Sequence, residues 1–150
     1  GPGVLAADQA IVESLMLPEL PPLLAQKLRG FLPAEASVAN PLDLLADARE
    51  ERFLATLVEA LAAGSGHFDA ILMIHVVPFM VDAGPVVAAL AARAQSAKLP
   101  VMHAMMGTLE HKAEWFAQME AAGVPAFNDA EDMCVAAGLL ARHRDLNGTQ

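Results

Sequence analysis

The feature that most constrains this sequence is a stretch of eight almost wholly apolar residues, 70–77 (Ala-Ile-Leu-Met-Ile-His-Val-Val), broken off by Pro78. It is short for a buried helix and of ordinary length for a strand. Because polar residues do not alternate along it, both faces should be covered, as in a parallel sheet. A central, parallel position is therefore expected. Two shorter runs repeat the theme: residues 101–106 follow Pro100 and stop at Gly107, and residues 125–127 stop at Asn128. Proline and glycine at those points mark the strand ends.

Helical periodicity fills the gaps between these runs. Within residues 49–63, Phe53, Leu57 and Leu61 recur at four-residue steps with Leu54 and Val58 beside them, while Glu50, Glu51, Arg52 and Glu59 stay polar. Residues 83–97 repeat the pattern through Val86, Val87, Leu90 and Ala94, with Asp82 as the expected N-cap. Thr108 is placed to cap a helix through residue 122, and Asp129 one through about residue 143. A helix after each strand gives right-handed βαβ units and an α/β fold, a three-layer doubly wound parallel sheet. Residues 1–144 then form one domain of ordinary size, and residues 145–150 a linker or frayed tail.

The first forty residues begin with a helix rather than a strand. Residues 3–15 carry an apolar face of Val4, Ile11 and Leu15, flanked by Leu5 and Val12; residues 16–20, interrupted by Pro18, suit a short edge strand. A second helix is expected over residues 22–31, with Leu23, Leu24, Leu28 and Phe31 inward. The first helix of a doubly wound domain is normally fed by a strand. That first strand is missing here, so the expectation is a fragment whose upstream residues supply it; the alternative is a protease-cut start at Gly1-Pro2 on a different edge.

Composition removes several classes of function. Nine basic residues against eighteen acidic ones give a net charge of −9 without any basic cluster, which argues against a nucleic-acid partner. The absence of Tyr and the single Trp115 argue against a platform on which bases stack. No apolar run is long enough for a membrane span and no secretion signal is present, so a soluble, cytoplasmic protein is expected. The lone Cys134, among Met133, Val135 and Ala136, reads as a small buried hydrophobe.

Several segments, in order, carry a resemblance. Gly1-Pro2-Gly3-Val4-Leu5-Ala6-Ala7-Asp8 resembles the Gly-Gly-Pro-Gly-Val-Leu-Ala-Ala-Asp segment of the nucleotide-forming acyl-CoA synthetases, the family of ADP-forming acetate-CoA ligases and, more distantly, succinyl-CoA synthetase. The stretch from Leu32-Pro33 through Ala36-Ser37-Val38 to Asn40-Pro41-Leu42-Asp43-Leu44 is similar to the next part of that pattern. Phe68-Asp69-Ala70-Ile71-Leu72, Met106-Gly107 and Gly123-Val124-Pro125-Ala126-Phe127 continue it across nearly the whole chain. Thr108 departs from it, standing where the family often has a second glycine.

The resemblance implies the family's second flavodoxin-like domain and an acid-thiol ligase reaction: carboxylic acid, CoA and ATP give acyl-CoA, ADP and phosphate. It implies a phosphorylated histidine in a Ser-His-Thr-Gly context, faced by helix starts from two domains. None of His67, His75, His103, His111 or His143 has that context, so no catalytic residue is expected in this chain and the isolated domain should be inactive. CoA, ATP and magnesium belong to the whole enzyme. The partners implied are a CoA-binding domain, the phosphohistidine domain and an ATP-grasp domain, in the same chain or a partner, within an oligomer.

Free NH groups and the positive dipole end at a helix start favour an anion, so Gly1, Gly3 and Val4 are the phosphate-binding candidates. The plainer reading is that Gly and Pro simply start a helix. Asn40, Asp43, His75, Gly107 and Thr108 are cleft-lining candidates; each also has a structural role, in a turn, a strand or a cap. His75 and His103, inside apolar strands, read first as hydrogen-bonded core or rim histidines. His111 and Glu114 share a helix face but lack further ligands, and no metal site is expected. A second functional class stays open, a ligand-sensing synthetase-like module fused to a protein acetyltransferase. A flavin is not expected, since aromatic residues are scarce after the strand ends.

Overall fold

Three parallel strands, β1 (Ile71–Val77), β2 (Val101–Gly107) and β3 (Ala126–Phe127), lie side by side in that order in a computed structural model that describes residues 2–64 and 66–148. Six helices among the described residues surround them: α1 (Pro2–Val12), α2 (Pro22–Arg29), α3 (Glu50–Gly64), α4 (Gly84–Gln95), α5 (Lys112–Ala121) and α6 (Ala130–Gly148). Alternation along the strands divides the core into two layers. Ile71, Met73, Val77, Val101 and Met105 pack with Leu57 and Leu61 of α3, Val87 and Leu90 of α4 and Trp115 of α5. Leu72, Ile74, Met102 and Ala104 turn the other way, toward Ala6 and Ala10 of α1 and Cys134, Met133 and Ala137 of α6. The expected α/β, three-layer, flavodoxin-like arrangement is therefore present.

Among the described residues β1 pairs with β2 alone, and β2 lies between β1 and β3. Burial agrees: β2 is buried through its first five residues, whereas β1 is half-buried through its first four. Residues 16–20 form no strand among the described residues. Three ends also differ. Ala83, not Asp82, is the N-cap of α4, because Asp82 instead accepts a hydrogen bond from Gly84 N at 2.8 Å. The N-cap of α5 is His111 rather than Thr108. α6 continues through the expected tail to Gly148, and its start matches expectation, with Asp129 Oδ1 accepting from Asp132 N at 2.7 Å.

The first helix is turned around relative to its apolar pattern. Val4 and Ile11, expected inward, are 62% and 68% exposed, while Ala6 and Ala10 are buried. The cause is how closely α1 approaches α6. Cys134 Sγ donates to Ala6 O at 3.5 Å, and a β-carbon on Gly138 would stand 2.9 Å from Glu13 Cβ. Only small side chains fit such a seam, so alanines outcompete larger apolar residues for the inner face. In α2 the inward residues are Leu24 and Leu28, with Leu23 and Phe31 left exposed.

Candidate functional site

α4, α5 and α6 each follow a strand, so their N-termini lie at the carboxyl edge of the sheet. α1 runs parallel to α6, since Ala6 meets Cys134 near one end while Glu13 meets Gly138 and Arg142 near the other. Its start therefore lies at the same edge, where doubly wound sheets bind ligands. The charges at the helix starts differ. Glu114 stands in the first turn of α5, and Glu131 and Asp132 in that of α6, whereas α1 and α4 have no acidic residue there. The start of α1 thus keeps a positive dipole end not offset by a carboxylate of its own first turn.

Gly3 and Val4 occupy that turn; Gly1 lies outside the described residues. A β-carbon on Gly3 would meet only Pro41 Cγ, at 3.8 Å, an ordinary contact. The structure thus brings the Asn40-Pro41 loop, joined by a cis peptide bond, against the start of α1. Asn40 Nδ2 donates to Pro18 O at 3.0 Å. Asp43 exchanges backbone hydrogen bonds with Ser37, and its Oδ1 accepts from Leu45 N at 2.9 Å. Both side chains build the loop that supports α1.

Gly107 closes β2 with φ +95°, and a β-carbon there would collide with the Val77 carbonyl oxygen. The same carbonyl accepts from Thr108 N at 3.3 Å, so this turn ties the ends of β1 and β2 together. Beside it opens a shallow cleft of about 310 Å³ lined by Met80, Val81, Asp82, Glu110, His111 and Trp115. Sequence reasoning did not assign Met80, Val81 and Glu110 to a cleft; the available signal was an apolar Phe79-Met80 pair directly after a strand-ending proline. Met80 is 81% exposed at φ +60°, a conformation that costs a side-chain-bearing residue about 1 kcal/mol. Met80→Gly is accordingly expected to raise the unfolding free energy by about 0.5 kcal/mol, measured by thermal denaturation.

His75 does not reach the cleft. It lies beside His103, ring centroids 6.0 Å apart and planes within 10°, and Phe53 of α3 stands 4.9 Å from it. The expected hydrogen bonds are not made: His75 Nδ1 and both ring nitrogens of His103 are buried without a partner among the described residues. Desolvation pushes the pKa of His75 down to about 4; for His103 desolvation and then repulsion by His75 push it to about 3. Both rings are neutral near neutral pH. Cys134 is buried as expected, its thiol pKa held above the ordinary range by desolvation and then by Glu131 and Glu13. Among the described residues no three His, Cys, Asp or Glu side chains are grouped to hold a metal ion, and no helix is long and apolar enough to cross a membrane.

A parallel sheet between two helical layers, with four helix starts gathered at its carboxyl edge, defines a flavodoxin-like α/β domain. Residues 1–148 match the family described as the Ligase-CoA domain, and the chain belongs to that family. It is 33% identical over 145 residues to the alpha subunit of ADP-forming acetate–CoA ligase II of Pyrococcus furiosus, covering 93% of this chain and 31% of that protein. A 57-residue stretch is 44% identical to ADP-forming acetate–CoA ligase I of Archaeoglobus fulgidus, covering 38% of this chain and 8% of that one. Among solved structures, PH0766 of Pyrococcus horikoshii OT3 superposes with a TM-score of 0.82 at 29% identity, over 92% of this chain and 32% of that one. The apo dinucleotide-forming acetyl-coenzyme A synthetase 1 of Ca. Korarchaeum cryptofilum shares the fold, with a TM-score of 0.81 at 23% identity over 96% of this chain and 31% of that one. The chain thus spans about a third of the length of the Pyrococcus furiosus subunit and of both solved structures.

Proposed function

We propose that this domain serves an ADP-forming acyl-CoA synthetase, which joins a carboxylic acid to CoA with conversion of ATP to ADP and phosphate. In this reading the start of α1 faces a phosphate carried on a histidine of another domain. The observation that carries the reading is the first turn of α1: at the carboxyl edge, without an acidic residue, and with room at Gly3. Backbone NH groups and the helix dipole would hold the phosphate oxygens, and the Asn40-Pro41 loop would keep the turn in place. Such a site stabilises a phosphoryl group without itself forming a covalent bond. CoA, nucleotide and magnesium are assigned to the other synthetase domains, with which this one would assemble.

Gly3→Glu separates this role from a structural one. A carboxylate in the first helical turn should hold or raise stability by a few tenths of a kcal/mol, because it complements the dipole. The same charge would repel a phosphate. In the complete synthetase, incubated with ATP labelled at its γ-phosphate, acid-labile phosphoprotein is expected to fall about tenfold or more while the thermal midpoint holds. Undiminished labelling would remove α1 from the mechanism.

A further inference from the structure

The buried pair of His75 and His103 is unexplained by the proposed function, and its surroundings are one-sided. His103 is 0% and His75 6% exposed, yet three of their four ring nitrogens are buried without partners among the described residues. A buried imidazole without hydrogen bonds tolerates neutrality at a cost and a charge hardly at all, since both nitrogens of an imidazolium are donors. Among the described residues no opposite charge offsets the burial of either ring. Arg52 of α3 is engaged by Leu44 O and Asp47, and Glu59 pairs with Lys27. Arg93 of α4 donates to Ser96, Glu114 of α5 lies 3.8 Å from His111, and Lys112 stands over Phe116. Glu51 and Glu120 are exposed, Glu50 is half-buried at the first position of α3, and no carboxylate contributes to the shift of either ring.

The opposite layer contains nothing comparable. Ala6, Ala10, Ala130 and Cys134, with Met102, Ala104, Met133 and Ala137, form a packing without any buried imidazole or carboxylate. We infer that His75 and His103 form a proton-operated latch: neutral, the pair seats α3 on the sheet; charged, it opens the α3 layer while the α1–α6 layer holds. The direction follows from linkage. The unfolded or opened chain takes up protons near the ordinary histidine value of 6.5, whereas the closed protein resists until about 4 and about 3. The latch is therefore secure above about pH 6.5 and loosens progressively as pH falls below it. Phe53 of α3 stands against the His75 ring, so lifting α3 would uncover that ring to water.

Hydrogen–deuterium exchange of the protein at about pH 7 and about pH 4.5, corrected for intrinsic exchange chemistry, tests this. Peptides covering α3 should lose about tenfold or more protection relative to those covering α6, and replacing both His75 and His103 with Leu should remove most of that difference. Equal loss in α3 and α6, or an undiminished difference in the double variant, would overturn the latch. Should that variant not fold, imidazole chemical shifts of the unaltered protein decide. Rings that take up protons together with the loss of α3 protection support the latch, and a charged ring beneath a still-protected α3 refutes it.

Discussion

Gly107→Ala is expected to lower the unfolding free energy by about 3 kcal/mol, moving a urea midpoint by about 2 M. Two opposing effects set the sign. Alanine restricts the unfolded chain, which favours the variant by under about 1 kcal/mol. Against this stands φ +95°, which L-residues rarely adopt, and a methyl group driven into the Val77 carbonyl. A flexible side-chain tip could swing away from the methyl; a backbone carbonyl in the β1–β2 connection has no such freedom. Relief would have to come from parting the ends of the two strands, which would also displace the loops forming the cleft. A variant as stable as the parent would mean that this turn is not built as described.

Gly138→Leu is expected to be of similar size, about 3 kcal/mol, for a different reason. Glycine inside a helix forgoes about 1 kcal/mol relative to alanine, so its presence in α6 implies that the space matters. A β-carbon at that position already crowds Glu13, at 2.9 Å from its Cβ and 3.3 Å from its carbonyl oxygen. The remaining leucine atoms would push α1 away from α6. Gly138→Ala provides the internal comparison: its gain in helix propensity and its loss in packing nearly cancel, so it should stay within about 1 kcal/mol of the parent. If leucine and alanine behaved alike under urea denaturation, the close α1–α6 seam would be wrong.

The layered fold was legible because β1 and β2 are apolar runs bounded by prolines and glycine, signals that depend on neighbours in sequence alone. The residues packing α4, Val86, Val87, Leu90 and Ala94, were legible for the same reason. What failed depended on partners distant in the chain. Periodicity shows that Val4 and Ile11 share a face of α1, but it does not say whether that face turns inward; Gly138, more than a hundred residues later, decides that. The start of α1 was singled out by a family pattern, and its proximity to the Asn40-Pro41 loop was not deducible from either segment. Nor does a histidine within an apolar run disclose whether its nitrogens find partners, so the coupling of His75 to His103 emerged only with the strand register.

The outer side of β1 has a further consequence. Ile71–Val77 contains no charged residue, proline or bulge to discourage pairing, the devices by which proteins usually protect the rim of a sheet. Left uncovered, such a rim is a template for edge-to-edge aggregation. Wherever no further strand covers that rim, the net charge of −9 is what keeps copies apart, a defence that weakens as salt is added or pH approaches the isoelectric point near 4.8.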